Sequence, residues 1–223
     1  MTTGIVYPLS AMPVYHIKDT GFRLSAKVLE ELDNFDTQEE RDVFLTKGVD
    51  VLELDSLKEA GYICKKYLDL YLKEICGYTE TFIITNSWLT IHKKGSLGHQ
   101  RHSHPNSIFS GCLYLDTGAE ESSIVFHPKI RLSEEFNFSY RLYTKTLYNN
   151  DKFILPVQTG SIIIFPSNLN HSVLNHTSDK TRITLCFNTF VKDKFGMNEY
   201  ASDIDLSNIS CGNEPNQTNF KYE

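Results

Sequence analysis

From residue 82 to residue 191 the chain is written in short runs of β-branched and aromatic residues, such as "TFIITNSWLTIH", "IFSGCLYLD", "SIIIF" and "TRITLCFN", separated by Gly, Pro, Asn and Asp. About eight such runs can be counted, the signature of an all-β sandwich or barrel. Alternation sharpens the expectation. In "TRITLCFN", Arg182, Thr184, Cys186 and Asn188 fall on one face, and Ile183, Leu185 and Phe187 on the other. In "IFSGCLYLD", Ser110, Cys112, Tyr114 and Asp116 oppose Phe109, Leu113 and Leu115. Strands of this kind are expected to pack their apolar face into a core and to line a lumen with the polar one.

The chain ahead of these runs follows a different period. In "DSLKEAGYICKKYLDLYLKEICG", Leu57, Ala60, Cys64, Tyr67, Leu68, Tyr71, Leu72 and Ile75 recur at spacings of three and four. They predict one helix with an apolar stripe, capped by Asp55 or Ser56, stopped by Gly77 and laid against a sheet. Residues 25–45 also carry helical patterning. The organisation expected is an N-terminal extended segment with supporting helices over 1–80, a β core over 81–191 and a polar tail over 192–223 rich in Asn, Ser and Asp.

Composition removes several function classes. A 40% hydrophobic content is enough for a sizeable core, and a formal charge of -6 gives no global basic field, so a large sequence-independent grip on nucleic acid is not expected. No apolar run reaches the roughly 18 residues of a membrane span, and the N-terminal residues lack the charged-then-apolar order of a signal peptide. A cytoplasmic protein is the expectation. Five cysteines, Cys64, Cys76, Cys112, Cys186 and Cys211, form no CxxC and read as ordinary thiols. The sequons at "NHS" and "NHT" read as chance.

Three of the eight histidines stand in "HQRHSH", residues 99–104. If "HSHP" ends a strand, His102 and His104 project to one face, as two ligands of one metal must, and Ser103 points away. His99 lies off this register and ranks below the pair. After the buried run "SIIIF" and Pro166, His171 opens the next strand, distant in sequence but near in a closed double-layered β structure. Eleven residues later comes Arg182. A buried guanidinium needs an anionic partner, either an internal acid or a small dicarboxylate, and the polar face of its own strand supplies no acid. Tyr114 either gives its hydroxyl to the same anion or is a core tyrosine.

In their joint order and spacing, "NSWLTIHKKG", "QRHSHPNSIFSGCLYLD" and "GSIIIFPSNLNHSVLNHTSDKTRITLCFN" resemble the core motifs of the iron(II)- and 2-oxoglutarate-dependent oxygenases, in particular a branch common in bacteria and marine phages. The resemblance spans roughly residues 82–190. It implies a double-stranded β-helix, or cupin-like jelly roll. It implies iron(II) held by His102, His104 and His171, with Arg182, Thr184 and Tyr114 binding 2-oxoglutarate. The activity implied consumes dioxygen and 2-oxoglutarate, releases succinate and carbon dioxide, draws on ascorbate as reductant, and hydroxylates an unactivated C–H bond of an unidentified prime substrate, with a protein or peptide side chain such as proline as the first candidate. The chain departs from the family at His104, which stands where a carboxylate is usual and leaves one more positive charge on the site. Two other readings fit the same residues. One is a three-histidine cupin-type dioxygenase that needs no 2-oxoglutarate. The other is a non-catalytic jelly-roll module binding metal or ligand. Lys93, Lys94, Arg101, Lys129 and Arg131 are expected to form a solvated rim, and loops such as the aromatic-rich 128–152 to set the cavity and cover a peptide, a nucleobase or a small metabolite equally well.

Overall fold

Antiparallel pairing assembles the β runs into two facing sheets. The computed structural model describes residues 11–25, 28–29, 31, 35–40, 42–47, 50–118, 122–128, 144–192, 194–196 and 204–206. The larger sheet has the spatial order β1 (Tyr15–Ile17), β8 (Ile162–Pro166), β5 (Phe109–Asp116), β10 (Arg182–Val191), β4 (Phe82–His92), β3 (Val43–Thr46), β2 (Thr37–Glu40). The smaller sheet runs β7 (Phe153–Val157), β6 (Ser122–Phe126), β9 (His171–Val173). This is the double-stranded β-helix. Seven strands lie between residues 82 and 191 among the described residues, where about eight were expected.

The alternation read from the sequence sorts the two sides of the larger sheet. Leu89, Leu113, Leu185 and Phe187, each fully buried, join one core with Leu57, Ala60, Cys64, Leu68, Tyr71 and Leu72 of the helical segment. Cys112, Tyr114 and Cys186 face the other way, into a second cluster with Ile124, Phe126, Ile163 and Phe165 between the sheets. The helix α1 (Lys58–Leu70) continues as a wider π-type turn over Tyr71–Cys76, and Tyr71 Oη donates to the Pro13 carbonyl at 2.9 Å. Gly77 ends it in the left-handed conformation, φ 71°, with Tyr78 N–H donating to Leu72 O.

Three expectations need correction. Residues 25–45 are not one helix: β2 and β3 form a hairpin turned at Asp42, φ 62°, and β3 pairs with β4. Pairing to a sheet edge, with Val43 fully buried, overrides local helical pattern. Asp55 and Ser56 do not cap α1. A 3₁₀ turn over Asp55–Leu57 precedes it, Leu57 holds the capping position, and the Asp55 carboxylate instead pairs with Lys58 at 2.5 Å. Ile75, read into the stripe, is half exposed because the π-type turn rotates it off the buried face.

Of the polar tail, the described residues include a short ladder, β11 (Lys194–Phe195) with β12 (Ile204–Asp205). Cys211, Lys129, Arg131 and positions 129–143 of the loop expected to set the cavity lie outside the described residues. Among the described residues no helix is long and apolar enough to cross a membrane.

Gly111 lies across the ladder from Phe187, whose ring occupies the space a side chain at 111 would need. Gly111→Ala is therefore expected to lower stability by about 1–3 kcal/mol through overpacking. Urea denaturation checks this, and a variant as stable as the parent would contradict the packing.

Candidate active site

The floor of the site is a grid. β10 pairs with β4 on one side and β5 on the other, and directly opposed residues share a face with their Cβ atoms about 5 Å apart. Along β10 the rows are Arg182 with His92, then Thr184 between Thr90 and Tyr114, then Cys186 between Trp88 and Cys112, then Asn188 between Asn86 and Ser110. The first rows form a cationic and hydroxyl-bearing end. The last row meets the histidines.

His102, His104 and His171 come together. Their ligand-capable nitrogens lie within 4.8 Å of one another, and the ring centroids of His102 and His171 are 4.3 Å apart. His102 and His104 do not end a strand, as the sequence suggested; they lie in the connection between β4 and β5, extended because its backbone is captured. His102 and His171 exchange reciprocal N–H to carbonyl bonds at 2.9 Å, and His104 N–H donates to Ser167 O. Ser103 faces solvent.

The hydrogen bonds behind the rings set which nitrogen faces inward. His102 Nδ1–H donates to Gln100 O at 2.7 Å and His171 Nδ1–H to Leu169 O at 3.0 Å; a carbonyl can only accept, so Nδ1 carries the proton in both. His104 Nδ1–H donates at 2.8 Å to Asn188 Oδ1 and Ser110 Oγ, and Ser110 Oγ–H is itself directed to Asn188 Oδ1. All three Nε2 lone pairs are left for one ion, the backing that metal-ligating imidazoles ordinarily have. Burial holds His171 down to about 3, helped by the neighbouring histidines, and lowers His104 as well, so both are in the neutral, ligating form.

A cavity of about 440 Å³ opens over this floor. Among the described residues its lining includes Arg101, Arg182 and five histidines, but no acid. Arg182 is 4% exposed, its Cζ stands 5.3 Å over the Tyr114 ring, and it enters no ion pair among the described residues. Among the described residues, Arg182 Nε and Thr184 Oγ1 are buried without a hydrogen-bond partner. Asp116, at the far end of β5, is occupied with the Gly118 amide. The cavity thus has a cationic, hydroxyl-bearing end at Arg182 and Thr184 and, at the other end, three converging imidazoles that could hold a metal ion. Cys112 and Cys186 lie between the two ends with Sγ atoms 3.7 Å apart, both as free thiols. On the rim, Lys94 pairs with Asp179 and Lys93 covers the Phe44 ring.

Several site residues were not singled out from the sequence. His92, Thr90 and Trp88 line the cavity, a placement the alternation in "NSWLTIH" carries once its neighbour β10 is known. Asn188 and Ser110 were read onto polar faces, but nothing in the sequence marks them as partners of His104. His99 lines the cavity between His92 and His102, with ring centroids 5.3 and 5.8 Å away.

Comparison with known proteins agrees with this geometry. Residues 86–188 match the profile of the family described as "Putative 2OG-Fe(II) oxygenase". Among solved structures the chain is similar to an oxidoreductase of the 2OG-Fe(II) oxygenase family from Burkholderia pseudomallei, with 13% identity, TM-score 0.53, and 79% of this chain and 83% of that one covered. It is similar to HygX of Streptomyces hygroscopicus, solved with nickel, 2-oxoglutarate and hygromycin B, with 12% identity, TM-score 0.53, and 80% and 82% covered. It is also similar to SnoN, a non-heme alpha ketoglutarate dependent epimerase from nogalamycin biosynthesis, with 12% identity, TM-score 0.58, and 83% and 82% covered. No curated protein matches the chain in sequence. The family match bears out the resemblance read from the motifs, and the shared fold bears out the double-stranded β-helix.

Two predictions follow from the histidines. Asn188→Ala removes the acceptor behind His104 and is expected to weaken divalent metal binding about 10–100-fold, measured by competition with a chromophoric chelator. His92 and His171 are both held at about 3 in the folded chain, below the ordinary 6.5, chiefly by burial. Below pH 6.5 the unfolded chain then takes up protons that the folded chain refuses. Stability of the metal-free protein should fall as pH drops from about 6.5 towards 3, by up to about 1.4 kcal/mol per pH unit for each histidine. Denaturation midpoints that rise over this range would contradict the burial argument.

Proposed function

We propose that the chain is an iron(II)- and 2-oxoglutarate-dependent oxygenase that hydroxylates an unactivated C–H bond. One observation carries the reading: a cavity without acids, among the described residues, in which three imidazoles converge at one end and a buried Arg182 stands without a carboxylate at the other. In this reading His102, His104 and His171 hold the iron through Nε2. Arg182, with the Thr184 and Tyr114 hydroxyls, binds the far carboxylate of 2-oxoglutarate, because a guanidinium in a fixed fork matches a carboxylate and the buried Nε and Oγ1 then gain partners.

Iron(II), when bound, supplies the activation of dioxygen that 2-oxoglutarate drives, with succinate and carbon dioxide released and ascorbate as the ancillary reductant. The chain's own residues position and exclude. The backing acceptors Gln100 O, Leu169 O, Ser110 and Asn188 keep each imidazole aimed inward. Trp88, Leu45, Ile124 and Val173 surround the cavity with apolar surface that limits water near the reacting centre. For the prime substrate we propose a protein or peptide side chain, proline first, by family analogy alone.

A second reading, a three-histidine cupin-type dioxygenase without 2-oxoglutarate, is favoured by the imidazole in the carboxylate's place. Arg182 separates the two. Anaerobic titration of the iron(II) protein with 2-oxoglutarate should develop a visible metal-to-ligand charge-transfer band, and Arg182→Met should weaken that binding about 30-fold or more. Iron binding with no band would favour the cupin reading; full zinc occupancy with no turnover of 2-oxoglutarate would favour a non-catalytic module. For the substrate, incubation with peptide, nucleotide and amino-acid pools should show a gain of one oxygen in the peptide pool. A gain only among free metabolites would contradict the peptide assignment.

A further inference from the structure

His92 is a buried side chain that the metal and the co-substrate anchor leave unexplained. It is 1% exposed, it lines the cavity, and among the described residues neither of its ring nitrogens has a hydrogen-bond partner. A buried polar group left unpaired is destabilising, and an apolar ring of the same shape would avoid that cost. A buried group of this kind calls for a partner, and a ligand entering the cavity it lines can supply one. Its position says which ligand group. His92 lies directly across the β-ladder from Arg182, and the unpartnered Thr184 hydroxyl belongs to the next row. His99 packs edge-on against it at 5.3 Å and 79°, so the ring is held between His99 and the Arg182 row of the ladder. Burial and the Arg182 charge keep the imidazole neutral, so it offers one N–H donor without adding a second cation beside the guanidinium.

We infer that His92 donates its ring N–H to the far carboxylate of 2-oxoglutarate beside Arg182, and thereby selects a dicarboxylate over a monocarboxylate 2-oxoacid. The inference rests on the function proposed above and adds to it a specificity-determining residue. A guanidinium alone attracts any anion. A second donor at fixed angle rewards only a ligand long enough to place a carboxylate there while its 2-oxoacid end lies at the histidine triad.

The test compares 2-oxoglutarate with pyruvate, which keeps the 2-oxoacid end and lacks the far carboxylate. Parent, His92→Phe, His92→Gln and Arg182→Met proteins, each with its thermal transition recorded to confirm folding, are loaded anaerobically with iron(II) and titrated with each 2-oxoacid by the charge-transfer band. His92→Phe should weaken 2-oxoglutarate about 10–100-fold while pyruvate binding changes less than about twofold, and His92→Gln, which restores a donor, should recover part of the loss. In zinc-loaded protein, 2-oxoglutarate should bring up a downfield imidazole N–H resonance that is absent in His92→Phe and is not induced by pyruvate. If 2-oxoglutarate binding depends on Arg182 but is the same in His92→Phe, or if no such resonance appears, the inference fails and the proposed function stands. If 2-oxoglutarate binds regardless of Arg182, both fall.

Discussion

The pairing of β10 between β4 and β5 is the constraint on which the rest of the structure depends. Because side chains alternate along a strand, that one register sends Ile183, Leu185 and Phe187 into the core beneath α1, turns Arg182, Thr184 and Cys186 towards the cavity and sets Asn188 behind His104. A slip of one residue would exchange the two sets, burying a guanidinium among leucines. Two features oppose the slip. The Phe187 ring fits only over Gly111, and Ser110, Ser167 and Asn188 close a hydrogen-bonded network that also includes His104.

The convergence of His102, His104 and His171 is built from the loop rather than from the ladder. The reciprocal His102–His171 backbone pair ties the β4–β5 connection to the smaller sheet, and each imidazole is then locked by an acceptor behind Nδ1. The consequence is electrostatic. Three imidazoles bring no negative charge to a divalent ion, and the cavity holds no acid among its described lining residues. Compensation for the ion and for Arg182 then falls to an anionic ligand, which is why the proposed co-substrate is a dianion and why its second carboxylate needs more than one donor.

How much of this was legible in the sequence varies with the range of the interaction. The alternating faces of "TRITLCFN" and "IFSGCLYLD" are local, period-two properties, and they place Arg182, Thr184, Tyr114, Leu185 and Leu113 on the sides where the structure has them. The helix over 58–76 and its stop at Gly77 follow from spacing for the same reason. What could not be read is set by partners distant in the chain. The hairpin at 37–46 exists because β4 offers an edge to β3. His92 becomes a cavity residue only through its pairing with Arg182, and Asn188 becomes the support of His104 across 84 positions. Each of these depends on which strands are neighbours, and residue pattern within one strand carries no such information.

In the proposed function His104 serves as a third imidazole on the metal in place of a carboxylate. Iron-edge X-ray absorption of the anaerobic protein with one equivalent of iron(II), recorded with and without 2-oxoglutarate, counts imidazoles directly through their outer-shell scattering. Three imidazoles are expected in both states and two in His104→Ala. Two imidazoles in the parent protein, or a spectrum unchanged in His104→Ala, would contradict this role for His104.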